Sequence, residues 1–201
     1  MHDNTKRFKL GLRLPTDPRW VDLTSMSLSD ILTDHAYCEL KAATYCISLI
    51  QQYPDRLELL KQVSPVVTEE WGHFRMVLKE IENRGLILGK QRKDQYVNEL
   101  LKFQVKGQSK DSQLIEKLLT CALIEARSCE RFRTLSLGLK DPQMQKFYHH
   151  FMVSEAGHYR MFLDLALLYG DKETVIKRWN EYLEYEAKII ANLKVRGDRI
   201  H

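Results

Sequence analysis

The chain has 201 residues, 44% of them hydrophobic, and a formal net charge of +4, enough to bury one sizeable core. Its longest apolar runs are far too short to span a bilayer, and the stretch around Asp3, Lys6, Arg7 and Lys9 lacks the apolar run of a signal peptide. A single domain over 1–201, cytoplasmic and without a membrane partner, is therefore expected.

Residues 1–20, with Pro15 and Pro18, read as an irregular basic arm. Ser27 or Ser29 can then cap a first long helix that runs to about Gln52 and stops at Tyr53-Pro54-Asp55. A second runs from about Asp55 to Arg84 and is closed by Gly85, with a kink expected at Pro65. Residues 85–110 form a basic crossover with a short helix near Asp94 to Phe103. A third long helix is expected from Asp111 to Leu137. Asp141-Pro142 starts a fourth that Gly170 ends, and an additional C-terminal helix spans 172–193. Strand-like alternation is absent from the sequence. The class is all-α: an antiparallel four-helix bundle with one crossover connection and additional helices.

The chemistry is concentrated in two near-copies, Glu70-Trp71-Gly72-His73-Phe74-Arg75-Met76 and Glu155-Ala156-Gly157-His158-Tyr159-Arg160-Met161. On a helix, a Glu and a His three positions apart share one face and can reach one metal ion. Each metal also needs a carboxylate from a neighbouring helix, about thirty residues upstream if a tight turn joins the two helices. Glu39 lies 31 residues before Glu70, and Glu125 lies 30 before Glu155. Across the halves the offsets are 86 for the upstream glutamates and 85 for both Glu and His of the motif. This is the pattern of a duplicated helical hairpin. Glu130, a rival to Glu125, breaks the match. Four carboxylates and two imidazoles form a hard, oxygen-rich set suited to iron or manganese, with non-haem di-iron as the expectation.

Several neighbours invite further roles. Arg75 and Arg160 are turned away from the metal face and read as interhelix ion pairs. Gly72 and Gly157 read as sites of close helix packing. His35, one turn before Glu39, and His149 and His150 could tune the site, but packing or a solvated face is the favoured reading; Tyr37 and Tyr159 could serve as redox or hydrogen-bonding groups, with aromatic filling the default. The four cysteines, Cys38, Cys46, Cys121 and Cys129, stand singly in apolar stretches, which excludes a Cys-x-x-Cys site and points to reduced core thiols. Under the 86-residue offset, Cys121 matches His35.

Basic charge is uneven. Residues 1–20 carry five basic and two acidic side chains, residues 84–110 seven and two, and residues 188–201 four and one. Such clustering in arms and connections suits nucleic acid, and equally suits solubility.

The two motif frames, the surroundings of Glu39, and Ile124-Glu125-Ala126-Arg127-Ser128-Cys129-Glu130-Arg131-Phe132 resemble the MiaE family, bacterial ferritin-like di-iron tRNA hydroxylases. The resemblance extends over nearly the whole chain. It implies a ferritin-like bundle in which Glu39, Glu70, His73, Glu125, Glu155 and His158 hold two Fe ions. It further implies O2 as co-substrate and hydroxylation of the isopentenyl group on a methylthio-isopentenyl-adenosine beside the tRNA anticodon, giving an allylic alcohol. No protein acid or base is assigned apart from the di-iron cluster. No nucleotide fingerprint or iron–sulfur cysteine set is present in the sequence, so the electrons are expected from an external donor, a ferredoxin and its reductase. Arg13, Lys90, Arg92, Lys93 and Arg196 are the candidates for tRNA phosphate contacts. Two readings compete with this one: a ferritin-like oxidase or peroxidase without a nucleic-acid substrate, and a helical binding protein with a purely structural metal.

Overall fold

The computed structural model describes residues 10–201; the expected arm over residues 1–9 lies outside them. Among the described residues there are seven helices and no strand, as the all-α expectation required. They are α1 (Trp20–Met26), α2 (Leu28–Gln52), α3 (Leu57–Asn83), α4 (Gln95–Phe103), α5 (Lys110–Gly138), α6 (Pro142–Tyr169) and α7 (Lys172–Asn192). No described helix is long and apolar enough to cross a membrane. The helices fall into two compact units, one formed by residues 18–93 with 195–200, the other by the remaining described residues.

In the first unit, α2 and α3 form a hairpin. α2 stops where Tyr53 bonds back to Leu49 and Pro54 follows. α3 continues through Pro65 and ends in a Schellman turn: Gly85 takes φ +65°, its N–H donates to Glu82 O, and Leu86 N–H donates to Ile81 O. Ser27 precedes α2 but makes no capping bond with its side chain. The segment expected to be irregular up to residue 20 is shorter, because Trp20 is buried and opens α1. Residues 195–200 lie against this hairpin as a strap. Ile200 is fully buried and its N–H donates to Asp34 Oδ2 at 2.8 Å. A Cβ on Gly197 would fall 2.2 Å from the backbone carbon of Leu23, so only glycine permits this approach. Arg92 ties the start of the crossover to both parts, donating to Asp30 Oδ1 (3.0 Å) and Asp198 Oδ2 (3.2 Å) and to both residues' carbonyl oxygens.

In the second unit, α5 and α6 form the matching hairpin, with an aromatic core in which Phe132 packs on Tyr148 and Phe151. Three helix starts are capped by aspartate: Asp94 on α4, Asp141 before Pro142 on α6, and Asp171 on α7. Ser109 caps α5, placing its start just before the expected Asp111. Buried ion pairs bind α7 to α5. Arg127 lies 2.7 Å from Glu186, both fully buried, and Arg178 bonds Glu116 through two nitrogens. Arg127 also donates to Leu14 O, and Thr16 N–H donates to Glu130 Oε1. The described part of the N-terminal arm is thereby attached to α5, and Glu130 has a structural use.

Gly72 and Gly157 differ from expectation. A Cβ at either would meet nothing within 4 Å, so neither is needed for close packing. Gly72→Ala and Gly157→Ala are each expected to raise stability by up to about 1 kcal/mol through helix propensity. Gly197→Ala is expected to cost about 1–3 kcal/mol through overpacking. Thermal and urea melts of the three variants decide both points.

The strap also carries a pH dependence. Arg196, hydrogen-bonded to Asp198, holds its carboxyl below the usual range, with Arg199 and Arg92 adding to this against the opposing effect of burial. A depressed carboxyl contributes stability above its unfolded pKa and loses it as pH falls through the folded value. Asp198→Asn should therefore lower Tm at neutral pH and leave it unchanged in strong acid, as a melt series against pH would read.

Candidate metal centre

Helical spacing builds each cluster. Glu70 and His73 share one face of α3, and Glu39 projects from α2 of the same hairpin; Glu155 and His158 share one face of α6, with Glu125 on α5. All six are between 1 and 7% exposed.

In the first hairpin the ligand atoms of Glu39, Glu70 and His73 all lie within 4.8 Å of one another. His73 Nδ1 is 3.3 Å from Glu70 Oε2 and 3.4 Å from Glu39 Oε2, so one ring nitrogen faces carboxylates from two helices. In the second hairpin the ligand atoms of Glu125, Glu155 and His158 meet the same limit, and His158 Nδ1 lies 3.5 Å from Glu155 Oε2.

These triads fit a hard cation. Metal–donor bonds of about 2.1 Å set neighbouring donors on one ion about 3 Å apart, close to the separations here. Two carboxylate charges about 5 Å apart repel by about 3 kcal/mol at an effective dielectric of about 20, a cost that a bound cation reverses. Each triad could hold one metal.

The environment is electronegative around α5. Burial, with Glu155 and Glu125 nearby, pushes the Cys129 thiol up to about 12, and its S–H donates to Met152 O at 3.3 Å. A protonated thiol is a poor ligand, which agrees with the reading of the cysteines as core thiols. All four are free.

Other expectations divide. His35 is fully buried with Nε2 2.7 Å from Glu39 Oε1, so it touches the site rather than merely packing. Tyr37 donates to Gly89 O at 3.1 Å, and Tyr159 packs on Trp179. His149 and His150 are exposed. Arg75 and Arg160 are exposed, and no ion pair is found for either among the described residues, contrary to the interhelix role expected of them; their position two residues past the histidine points them to solvent.

Of the tRNA-contact candidates, Arg13 is held by Glu184 and Asn180, Arg92 by Asp30 and Asp198, and Arg196 by Asp198. Lys90 and Lys93 are exposed. Arg127 and Glu186 were not singled out from the sequence. The only signal was an arginine two positions from Glu125.

The chain is similar to several known proteins. Residues 4–201 match the family model described as tRNA-(MS2IO6A)-hydroxylase (MiaE). A relative from Pseudomonas putida named tRNA 2-(methylsulfanyl)-N(6)-isopentenyladenosine(37) hydroxylase is 36% identical over 83% of this chain and 80% of its own. A protein of the same name from Salmonella typhimurium is 30% identical over 89% of this chain and 83% of its own. Among solved structures, a Synechococcus protein with aldehyde deformylating oxygenase activity superposes with a TM-score of 0.88 at 30% identity, covering 94% of each chain. The likeness bears out the ferritin-like fold expected from the sequence.

If the triads bind metal, Glu70→Gln and Glu155→Gln relieve charge repulsion in the metal-free protein. Each metal-free variant should melt no lower than the unsubstituted protein. Anaerobic Fe(II) should raise Tm by several degrees in the unsubstituted protein and by less in either variant. A fall of more than about 2 kcal/mol in the metal-free variants would assign these glutamates a structural hydrogen-bonding role instead.

Proposed function

The chain belongs to the MiaE family of tRNA hydroxylases, and we propose that it inserts oxygen into the isopentenyl group of 2-methylthio-isopentenyl-adenosine, beside the anticodon of tRNA, at two irons. One iron is assigned to Glu39, Glu70 and His73, the other to Glu125, Glu155 and His158. The observation that carries this is the twofold occurrence of a buried two-carboxylate, one-imidazole triad in a chain matched to the family nearly end to end.

Two bound irons supply O2 activation and the electrons for it, which no side chain can provide. The protein's share is positional. Carboxylates and imidazoles from paired helices are held at fixed separations, and their burial keeps bulk water from a reactive centre. No other protein acid or base is assigned. Two electrons per turnover come from outside, and a ferredoxin with its reductase is the proposed donor, acting in the cytoplasm where tRNA is modified.

For tRNA, Lys90 and Lys93 are the candidates with open side chains. Engaging Arg13, Arg92 or Arg196 would require breaking the bonds that hold them. The Lys90→Glu/Lys93→Glu double variant should weaken tRNA binding and flatten the dependence of log affinity on log salt by about two phosphate contacts. An unchanged slope removes the crossover from the interface.

The direct test is nucleoside mass spectrometry of isopentenylated tRNA incubated with iron-loaded protein and peroxide, which bypasses the reductase. One added oxygen on the modified adenosine is expected. The solved-structure likeness motivates a second reading, oxygenation of an aldehyde, so the same preparation should be offered an aliphatic aldehyde. Turnover of the aldehyde with no change in the tRNA would replace the proposal.

A further inference from the structure

The two halves of the duplicated frame are not chemically equal. One turn before Glu39 stands His35; at the matching place before Glu125 stands Cys121. His35 is fully buried, and its Nε2 lies 2.7 Å from Glu39 Oε1. The distance is that of a close polar contact between imidazole and carboxylate, without the alignment of an N–H···O hydrogen bond. The other oxygen, Oε2, is the one facing His73 Nδ1. His35 therefore takes one oxygen of Glu39 and leaves the second toward the triad. A thiol is a weaker donor and cannot reproduce this hold.

The backbone that carries His35 is itself pinned from two sides. Thr33 Oγ1 accepts from Gly89 N–H at 3.2 Å, where the crossover begins, and Asp34 Oδ2 accepts from Ile200 N–H in the C-terminal strap. Thr33, Asp34 and Ile200 are all buried. Rotation of this turn of α2, which would withdraw the imidazole, breaks both anchors. Groups that fix a ligand's orientation raise metal affinity because the ordering is complete before the ion arrives.

We infer that His35 is a positioning residue for Glu39 and that it makes the two metal positions unequal, the Glu39 position being filled first and bound more tightly. The inference rests on the dimetal reading above and goes beyond it in naming which half is preorganised and by which residue.

The test is anaerobic titration of metal-free protein with Fe(II), and separately with Co(II), followed by calorimetry and metal analysis. The unsubstituted protein should bind two ions in two resolved steps. His35→Asn, too short to reach Glu39, and His35→Leu, which lacks a donor, should weaken only the tighter step, by about 10- to 100-fold. His35→Gln keeps an N–H at comparable reach and should stay within a few-fold of the unsubstituted protein. Cys121→Ala should leave both steps unchanged. If His35→Leu does not fold, the Asn and Gln pair decides.

Equal weakening of both steps, an unchanged His35→Asn, or failure of His35→Gln to restore affinity when His35→Asn has lost it would each overturn the inference. Two equal steps in the unsubstituted protein would overturn it while leaving the dimetal reading intact. A chain that takes up fewer than two ions would remove that reading and this inference together.

Discussion

Burial of carboxylates is the constraint to which the rest of the structure answers. Each hairpin sinks two glutamates and a histidine into its interior, where charge is costly and like charges repel. A fold can hold such groups only if the helices carrying them cannot slide or rotate away. The surrounding interactions oppose those motions. On one side the strap, Arg92 and the Schellman turn fix the ends and register of α2 and α3. On the other, Arg127 with Glu186 and Arg178 with Glu116 lock α7 to α5 beneath the hairpin of α5 and α6.

The buried Arg127–Glu186 pair illustrates how location sets value. An exposed ion pair contributes little, whereas breaking a fully buried one leaves an uncompensated charge and costs several kcal/mol. Here the pair also gathers Tyr96 from α4, whose hydroxyl donates to Glu186 Oε1, and the Leu14 carbonyl from the N-terminal segment. One cluster thus organises α4, α5, α7 and the chain before α1. Because Arg127 lies two residues beyond Glu125, the pair also fixes the helix that presents a proposed ligand.

What could be read from the sequence was local. Pro54, Gly85, the Asp141-Pro142 pair and Gly170 bound helices because each acts through its own backbone, and the helix limits fell within a few residues of those expected. The triads were legible because duplication made one Glu-x-x-His into two, with matched glutamates upstream. Long-range pairings were not legible. Glu186 is 59 positions from Arg127 and Ile200 is 166 from Asp34, and no periodicity announces such partners. The same limit applied to Arg92 and Arg196, which count as free positive charge in a sequence and turn out to hold the strap. Gly72 and Gly157 misled for the opposite reason: repetition suggested a packing requirement where the space is open.

The central claim is that each triad holds one iron. Isotopically enriched iron loaded into the metal-free protein and oxidised, then examined by Mössbauer and electron paramagnetic resonance, addresses it directly. The account predicts two irons per chain, each with the Mössbauer parameters of a high-spin site of oxygen and nitrogen donors. One iron per chain, or none, would contradict it.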